Sequence, residues 1–193
     1  MSGRGIRFGL AAAARCAILA LSLGVTTALR WARIFPSNDP ILAVMLPCAK
    51  RGRVAAVAFP VAAMVLFDVL SQRIGVWTAV TAGTYGILGL TFAHVYRALA
   101  NRGRNVGTGM FLVSGIAGVL VFDFVTGPVM SSLLFRMSFG QAFTGQIPFT
   151  LWHLASVSAY AVVVSPALDW ALREIERGRD WIVHRLAAAR AAS

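Results

Sequence analysis

Nine side chains that could orient a ligand interrupt the apolar segments of this chain. They are Asn38, Asp39, Trp77, Thr81, Asp123, Thr126, Gln146, Trp152 and His153. Ionisable groups within such segments are costly in a membrane and usually face a cavity or a partner. A small number of polar groups around an apolar pocket fixes the orientation of a small ligand. The chemistry predicted for this set is therefore binding of a small, largely apolar molecule.

Other roles for these residues remain open. Asp68 could simply pair with Arg73, and Trp77 is also typical of the aromatic belt at a membrane interface. Asp123 and His153 would suit an integral-membrane enzyme that acts on a hydrophobic substrate, but the sequence shows no clear nucleophile and base or metal constellation. A membrane assembly protein without a ligand is the third alternative, and it predicts an outer half that is packed solid. We expect a binding protein rather than an enzyme.

The composition places the chain in a membrane. Its 193 residues are 58% hydrophobic and 13% charged, whereas soluble domains are roughly 45–50% apolar and roughly 25% charged. The net charge of +11 does not predict a nucleic-acid partner, because the basic residues lie between apolar segments. Cys16 and Cys48 lie inside apolar stretches, and no Gly-rich phosphate loop is present. We therefore expect no metal or cofactor, and any nucleotide hydrolysis must come from a partner.

Six hydrophobic segments predict an all-α membrane domain of six transmembrane helices. They cover residues 8–29, 41–49, 54–70, 76–96, 106–134 and 147–168. A crossing needs about 20 residues, so the second segment is too short to cross as a helix alone. If it crosses, residues 31–40 must form a re-entrant loop, which is tolerated only where protein covers it or it lines a cavity. The first segment could alternatively be a signal peptide.

The basic residues favour six crossings with both termini in the cytoplasm. This arrangement places the clusters around Lys50 and Arg102 inside, where Lys and Arg are enriched, whereas five crossings would place both outside. The localisation predicted is the inner (cytoplasmic) membrane. With this orientation, all nine predicted ligand-binding residues lie in the outer half. Residues 1–168 then form the membrane domain, and residues 169–193 form an amphipathic tail at the cytoplasmic interface.

Small residues recur along the first predicted helix. Ala20 and Gly24 belong to one series at four-residue spacing, and Ala13 and Ala17 form an adjoining stripe. Small side chains at this spacing let another helix approach closely in a membrane. The approaching helix could belong to this chain or to a separate subunit.

Two stretches of the sequence resemble the substrate-binding S components of energy-coupling factor (ECF) transporters. NDPILAVMLPCAKRGRVAAVAFPVAAMVLFDVL, residues 38–70, is similar to their outer loop, short second helix, basic turn and third helix. LVFDFVTGPVM, residues 120–130, and GQAFTGQIPFTLWHLAS, residues 140–156, are similar to their fifth and sixth helices. The likeness covers roughly residues 11–168 and includes no invariant signature.

This resemblance implies a six-helix subunit that captures a vitamin or similar nutrient from outside. It implies a pocket formed by the first outer loop and the outer halves of helices four to six. It also implies that small residues of the first helix, here Ala13 and Ala17, contact a transmembrane T component to which ATPases attach. The partners expected are therefore a small nutrient, membrane lipid and this energising module.

Overall fold

The structure is a computed structural model that describes the backbone of residues 3–191 and the side chains of residues 12–185 and 188. Residues 1, 2, 192 and 193, at the outer ends of the two predicted regions 1–168 and 169–193, lie outside the described residues. The elements, in chain order, are α1 (Gly3–Ala32), α2 (Ile41–Arg51), α3 (Arg53–Leu70), α4 (Val76–Asn101), α5 (Thr108–Phe124), a π-helical turn (Val125–Val129), α6 (Met130–Phe135) and α7 (Phe139–Ala191). Residues 3–191 contain no strand.

The prediction of an all-helical membrane protein is confirmed. Five segments are long and apolar enough to cross a membrane: Ala12–Ala32, Arg53–Leu70, Val76–Asn101, Thr108–Phe135 and Phe139–Arg185. They include the five long segments that the hydropathy of the sequence indicates, because a continuous apolar run of about 20 residues is a strong signal. Helix α2, which the sequence analysis predicts as a sixth crossing, is not among these five segments.

Helix α2 is the centre of the bundle. Its residues Ile41 to Ala49 are buried almost completely, and it contacts α1, α3, α4, α5 and α7. A helix that is apolar on every face is stable only where other helices surround it. At the start of α2, the side chain of Asp39 accepts a hydrogen bond of 3.0 Å from the Ile41 amide. Gly52, with φ of +136°, then forms the sharp turn into α3.

The end of the loop 33–40 and α2 extend along the middle part of α7, with Asp39 near one end of this stretch and Lys50 near the other. Asp39 lies 3.4 Å from His153 on α7, and Lys50 lies 3.0 Å from Asp169 on the same helix. His153 and Asp169 are separated by about 24 Å of helix at 1.5 Å per residue. The loop therefore carries the chain into the protein before α2 begins, as the short second segment requires. We refer to the two ends as the Asp39 end and the Lys50 end.

The segment after α5 changes its helical geometry at the predicted bend. The sequence predicts a tilt or bend near Gly127 and Pro128, and the π-helical turn contains both residues. Proline removes a backbone donor and clashes with the preceding turn, and a π-type turn relieves that clash. This turn places Asp123 at its N-terminal side and faces α7.

Helix α7 is one continuous helix where the sequence predicts a membrane helix and a separate interfacial tail. It extends from Phe139 to Ala191 without a break at residue 168. Leu168 and Leu172 are buried in the main core, and Ile175 packs against it. Because these side chains recur at helical spacing on one face, packing against the bundle continues the helix beyond the predicted boundary. Trp170 and Trp181 are exposed on the other faces.

Candidate functional site

Three ionisable side chains meet inside the bundle toward the Asp39 end. Asp39 comes from the loop before α2, Asp123 from the last turn of α5 and His153 from α7. His153 Nδ1 lies 2.8 Å from Asp123 Oδ1, and His153 Nε2 lies 3.4 Å from Asp39 Oδ2. Asp123 and His153 are each only 1% exposed. We call these three residues the Asp–His–Asp cluster.

The cluster has more acceptors than donors. A carboxylate only accepts hydrogen bonds, and a neutral imidazole offers one N–H and one lone pair. Both nitrogens of His153 face carboxylate oxygens, so full pairing requires a protonated imidazole or a protonated carboxyl group. Asp123 Oδ2 and His153 Nε2 are buried, and no group in the described residues forms a hydrogen bond with either atom. The 3.4 Å contact to Asp39 is therefore an electrostatic contact rather than a hydrogen bond. A donor group on a ligand would complete the cluster at Asp123.

Two tyrosines that the sequence analysis did not select hold the loop in place. The hydroxyl of Tyr85 donates to Asp39, and the hydroxyl of Tyr160 donates to Asn38. Asn38 in turn donates from Nδ2 to the Leu29 carbonyl oxygen at 2.6 Å. Helical spacing was the signal that could have found both, since Tyr85 follows Thr81 by four residues and Tyr160 follows His153 by seven.

Aromatic rings enclose the cluster. The Tyr85 and Phe122 rings stack with centroids 4.2 Å apart, and Phe122 meets the His153 ring edge to face at 6.0 Å. Phe149 approaches the same imidazole at 5.7 Å. Such surroundings exclude water and strengthen the electrostatic interactions among the three ionisable groups.

A cavity of about 550 Å³ lies between α5, the π-helical turn and the first turns of α7. Its walls are aliphatic and aromatic, and its polar lining residues are Asp123, Gln146 and Thr150. Small-ligand sites are typically about 300–1,000 Å³ and have few polar groups. Several wall residues, among them Phe143 and Leu151, are about half exposed on the side of the bundle. This α5–α7 cavity therefore lies close to the surface of the bundle.

Gly127 lets Gln146 reach the cavity. A β-carbon on Gly127 would lie 2.6 Å from Gln146 Cδ, which is closer than real atoms approach. The Gln146 side chain therefore occupies the space beside residue 127, and a side chain at that position would force it to move. The Gln146 amide, which offers two donors and one acceptor, lines the same cavity as Asp123.

A second recess of about 630 Å³ lies at the Asp39 end of the bundle. It is lined by Arg30, Arg33, Ile34, Phe35, Pro36, Asn38 and Phe67. Arg30 packs its guanidinium over the Phe67 ring, 3.9 Å from the centroid. Asn38 borders this recess, and Asp123 borders the α5–α7 cavity. The Asp–His–Asp cluster with its supporting loop therefore lies between two openings.

The comparisons with known proteins add no assignment to this geometry. No protein-family model, curated protein or solved structure matches the chain. The arrangement itself supports binding better than metal coordination, because Asp123 and His153 bond directly to each other instead of facing a shared ion. Among the described residues, no group of three His, Cys, Asp or Glu side chains is placed to hold a metal.

The predicted ligand-binding residues divide into two groups in the structure. Asn38, Asp39, Asp123 and His153 come together, and Gln146 joins them through the cavity. Thr81 and Thr126 are buried nearby, but their hydroxyls donate to backbone carbonyls of their own helices. Trp77 lies against Phe135 and is about one-third exposed, and Trp152 is 52% exposed on the bundle surface. Neither tryptophan lines the α5–α7 cavity.

The small residues of α1 face outward. Ala13, Ala17, Ala20 and Gly24 are all exposed, and a β-carbon on Gly24 would meet no atom within 4 Å. This stripe therefore lies on the outside of the bundle, where lipid or another subunit would contact it. Asp68, whose alternative role was a pair with Arg73, instead accepts a hydrogen bond of 2.6 Å from the Thr78 hydroxyl.

Proposed function

We propose that this protein is the substrate-capturing membrane subunit of a nutrient uptake transporter, in the manner of an ECF S component. The observation that carries the proposal is the convergence of Asp39, Asp123 and His153 from three separate elements beside a cavity of about 550 Å³. Buried ionisable groups in a membrane protein generally mark a ligand or ion pathway. The pairing of an apolar cavity with a buried acceptor supports a small ligand with an apolar ring system and a donor or cationic group.

The location of the site supports capture from the outer face. In the predicted orientation, with both termini cytoplasmic in the inner membrane, the Asp39 end faces outward. The recess at Asn38 opens at that end, and the loop 33–40 lies between it and the cluster. Loops that cover a site are suitable for admitting and then enclosing a ligand. A ligand that moves Asn38 and Asp39 would then also move the start of α2, which follows these loop residues directly.

The geometry favours binding over catalysis. A His–Asp pair can act as a base and its orienting group when the second imidazole nitrogen faces the substrate. Here, Asp39 faces that nitrogen, and His153 does not line the cavity. A cavity of this size also supports a ligand-binding protein over an assembly protein with a solid outer half.

Ligand identification tests the proposal directly. The full chain would be purified in mild detergent, and mass spectrometry would identify small molecules released by denaturation. A panel of vitamins and their precursors would then be screened for thermal stabilisation of the protein. We expect one ring-containing compound to be recovered unchanged and to stabilise the protein. Recovery of phospholipid alone, with no stabilising compound in the panel, would overturn the proposal.

A matched pair of glutamine variants locates the bound ligand. Gln146 lines the cavity, whereas Gln141 is exposed near the start of the same helix. Loss of one ligand hydrogen bond corresponds to about a tenfold weaker affinity. We expect Gln146→Ala to weaken binding by this amount and Gln141→Ala to leave it within about twofold. Equal effects of the two variants would place the ligand elsewhere.

A further inference from the structure

A third cavity, of about 490 Å³, lies at the Lys50 end between α1, the start of α3, α4 and the last part of α7. We call it the basic pocket, because five arginines line it: Arg15, Arg51, Arg53, Arg97 and Arg179. Among the described side chains, Glu176 is the only acidic residue that lines it. The remaining wall is largely apolar and includes Ile18, Leu19 and Phe59. The pocket thus combines positively charged lining residues with an apolar wall suited to hydrocarbon.

Most of this positive charge is not neutralised within the described chain. Arg179 pairs with Asp180 at 2.7 Å, and Arg51 pairs with Asp169. In the part of the chain that the structure describes, Arg15, Arg53 and Arg97 take part in none of the ion pairs. Like charges gathered in one cleft raise the local potential and attract an anion.

The N-terminus of α3 faces the same pocket. Gly52, Arg53, Val54 and Ala55 all line it, and no side chain caps this helix end. The first N–H groups of a helix have no partner within the helix and carry partial positive charge. Phosphate groups bind such helix ends through these donors.

Arg51 provides an independent observation that points to a ligand. Its side chain is only 5% exposed, and its Nε is a buried donor with no hydrogen-bond partner among the described residues. Glu176 Oε2 forms an ion pair with this nitrogen at 3.7 Å, which is too long for a hydrogen bond. A buried donor without an acceptor costs free energy that an anion in the pocket would recover.

We propose that the basic pocket binds a phosphate group. Arginines recognise phosphate by paired, charge-assisted hydrogen bonds, and basic pockets between transmembrane helices hold the headgroups of anionic lipids. The apolar wall beside Ile18 and Phe59 fits the acyl chains of a phospholipid, which makes the lipid headgroup the favoured source over free phosphate. This inference is independent of the transport function proposed above.

Lipid retention by matched variants tests the site. The full chain would be placed in nanodiscs of phosphatidylcholine with a minor fraction of phosphatidylglycerol, and native mass spectrometry would count retained lipids. Arg53→Gln combined with Arg97→Gln removes two exposed cations of the pocket. Arg102→Gln combined with Arg104→Gln removes two exposed cations outside it and serves as the control.

We expect the pocket pair to lower phosphatidylglycerol retention at least about tenfold, since each basic side chain near a membrane surface contributes about 1 kcal/mol. The control pair should change it by less than about threefold, and Glu176→Gln should increase it because the only acidic lining residue is removed. Equal losses from the two pairs would overturn the proposal, as would equal retention of phosphatidylcholine and phosphatidylglycerol by the wild-type protein.

Thermal unfolding in detergent distinguishes the two sources of phosphate. Inorganic phosphate would be compared with chloride at the same ionic strength, and short-chain phosphatidylglycerol with short-chain phosphatidylcholine. Stabilisation by the lipid alone, lost in the pocket pair, supports a headgroup site. Stabilisation by inorganic phosphate as well, also lost in the pocket pair, supports a free-phosphate site in the same pocket. Absence of both effects would overturn the inference.

Discussion

Asp123 and His153 lie 30 residues apart in the chain, and a hydrogen bond of 2.8 Å joins them in the interior of the bundle. This bond fixes the last turn of α5 against α7, immediately before the π-helical turn. Both side chains are almost inaccessible, so they interact with each other rather than with solvent. The candidate site therefore also contributes to the packing of two helices against each other.

Removal of one member of this pair should destabilise the protein. We expect Asp123→Ala to lower the free energy of unfolding by about 3 kcal/mol, because it leaves the His153 nitrogen buried without its partner. Chemical unfolding of the detergent-solubilised protein, followed by circular dichroism, measures this change.

Replacement of both members with apolar residues provides the control for that measurement. A buried ion pair can often be exchanged for well-packed hydrophobic residues at little cost in stability. Asp123→Leu combined with His153→Phe should therefore recover most of the loss of stability seen in Asp123→Ala, while ligand binding is lost because the Asp123 carboxylate is absent. If the loss of unfolding free energy in the double variant equals the sum of the losses in its two single variants, Asp123→Leu and His153→Phe, the two side chains are not coupled.

Small residues at one helix contact account for the close packing of α3 and α4. A β-carbon on Gly89 would lie 2.0 Å from the Ala56 carbonyl oxygen, whereas one on Gly83, in the same helix, would meet no atom within 4 Å. Because a backbone atom cannot move aside without shifting α3, Gly89→Ala should cost about 2–3 kcal/mol.

Gly83→Ala should leave the stability unchanged or raise it by up to about 1 kcal/mol, since alanine is the better helix former. Thermal unfolding of both variants in the same detergent gives the comparison. Equal melting temperatures for the two variants would contradict the close approach of α3 and α4 at Gly89.

The long membrane helices were predictable from the sequence, but the roles of α2 and α7 were not. A long apolar run identifies a crossing because lipid demands it, so α3, α4 and α5 follow from hydropathy. The short apolar run at Ile41 indicated an unusual segment, but hydropathy does not show that five helices surround it. The boundary near Leu168 was placed by polarity, whereas the buried side chain of Leu172 shows that packing continues the helix.

The candidate site was predictable only in its ionisable members. Asp123 and His153 are conspicuous because charge is rare in apolar segments, and their depth suggested that they meet. Tyr85 and Tyr160 are less conspicuous, because tyrosine is a common residue both in cores and at interfaces. Trp152 was predicted to bind ligand because it precedes His153, but it lies on the surface of the bundle. The contact between Gln146 and Gly127 depends on backbone geometry that no sequence pattern encodes.

Asp169 forms several ion pairs at the Lys50 end of the bundle, opposite the Asp–His–Asp cluster. Its carboxylate pairs with Arg51, with Lys50 at 3.0 Å and with Arg173 at 3.3 Å, and its side chain is only 6% exposed. Asp169→Ala should lower the free energy of unfolding by about 3 kcal/mol, because it leaves the buried guanidinium of Arg51 uncompensated. Equilibrium unfolding in detergent measures the loss.

An exposed carboxylate on the same helix serves as the comparison for Asp169. Glu174 pairs with Arg177 at 2.6 Å, but both side chains are exposed. Pairs of this kind contribute about 0–1 kcal/mol. Glu174→Ala should therefore change the unfolding free energy by less than about 0.5 kcal/mol. A loss as large as that of Asp169→Ala would mean that burial does not set the strength of these pairs.

The outward stripe of α1 predicts a separation between folding and partner binding. Ala17 and Gly24 are exposed, so larger side chains there should leave the fold within about 0.5 kcal/mol of the wild type. In the proposed transporter, the same side chains would hold a T-component helix at a distance and remove its close contact. Ala17→Leu should therefore abolish co-purification of the transmembrane and ATPase subunits from native membranes, while the melting temperature and ligand binding of the isolated subunit stay unchanged.

Ala155→Leu makes the same substitution at an exposed position on α7 and should leave co-purification intact. Failure of the wild-type chain to recover any ATPase subunit would remove the energising partner from the proposal, whereas a lowered melting temperature of Ala17→Leu would show that the stripe packs within the fold.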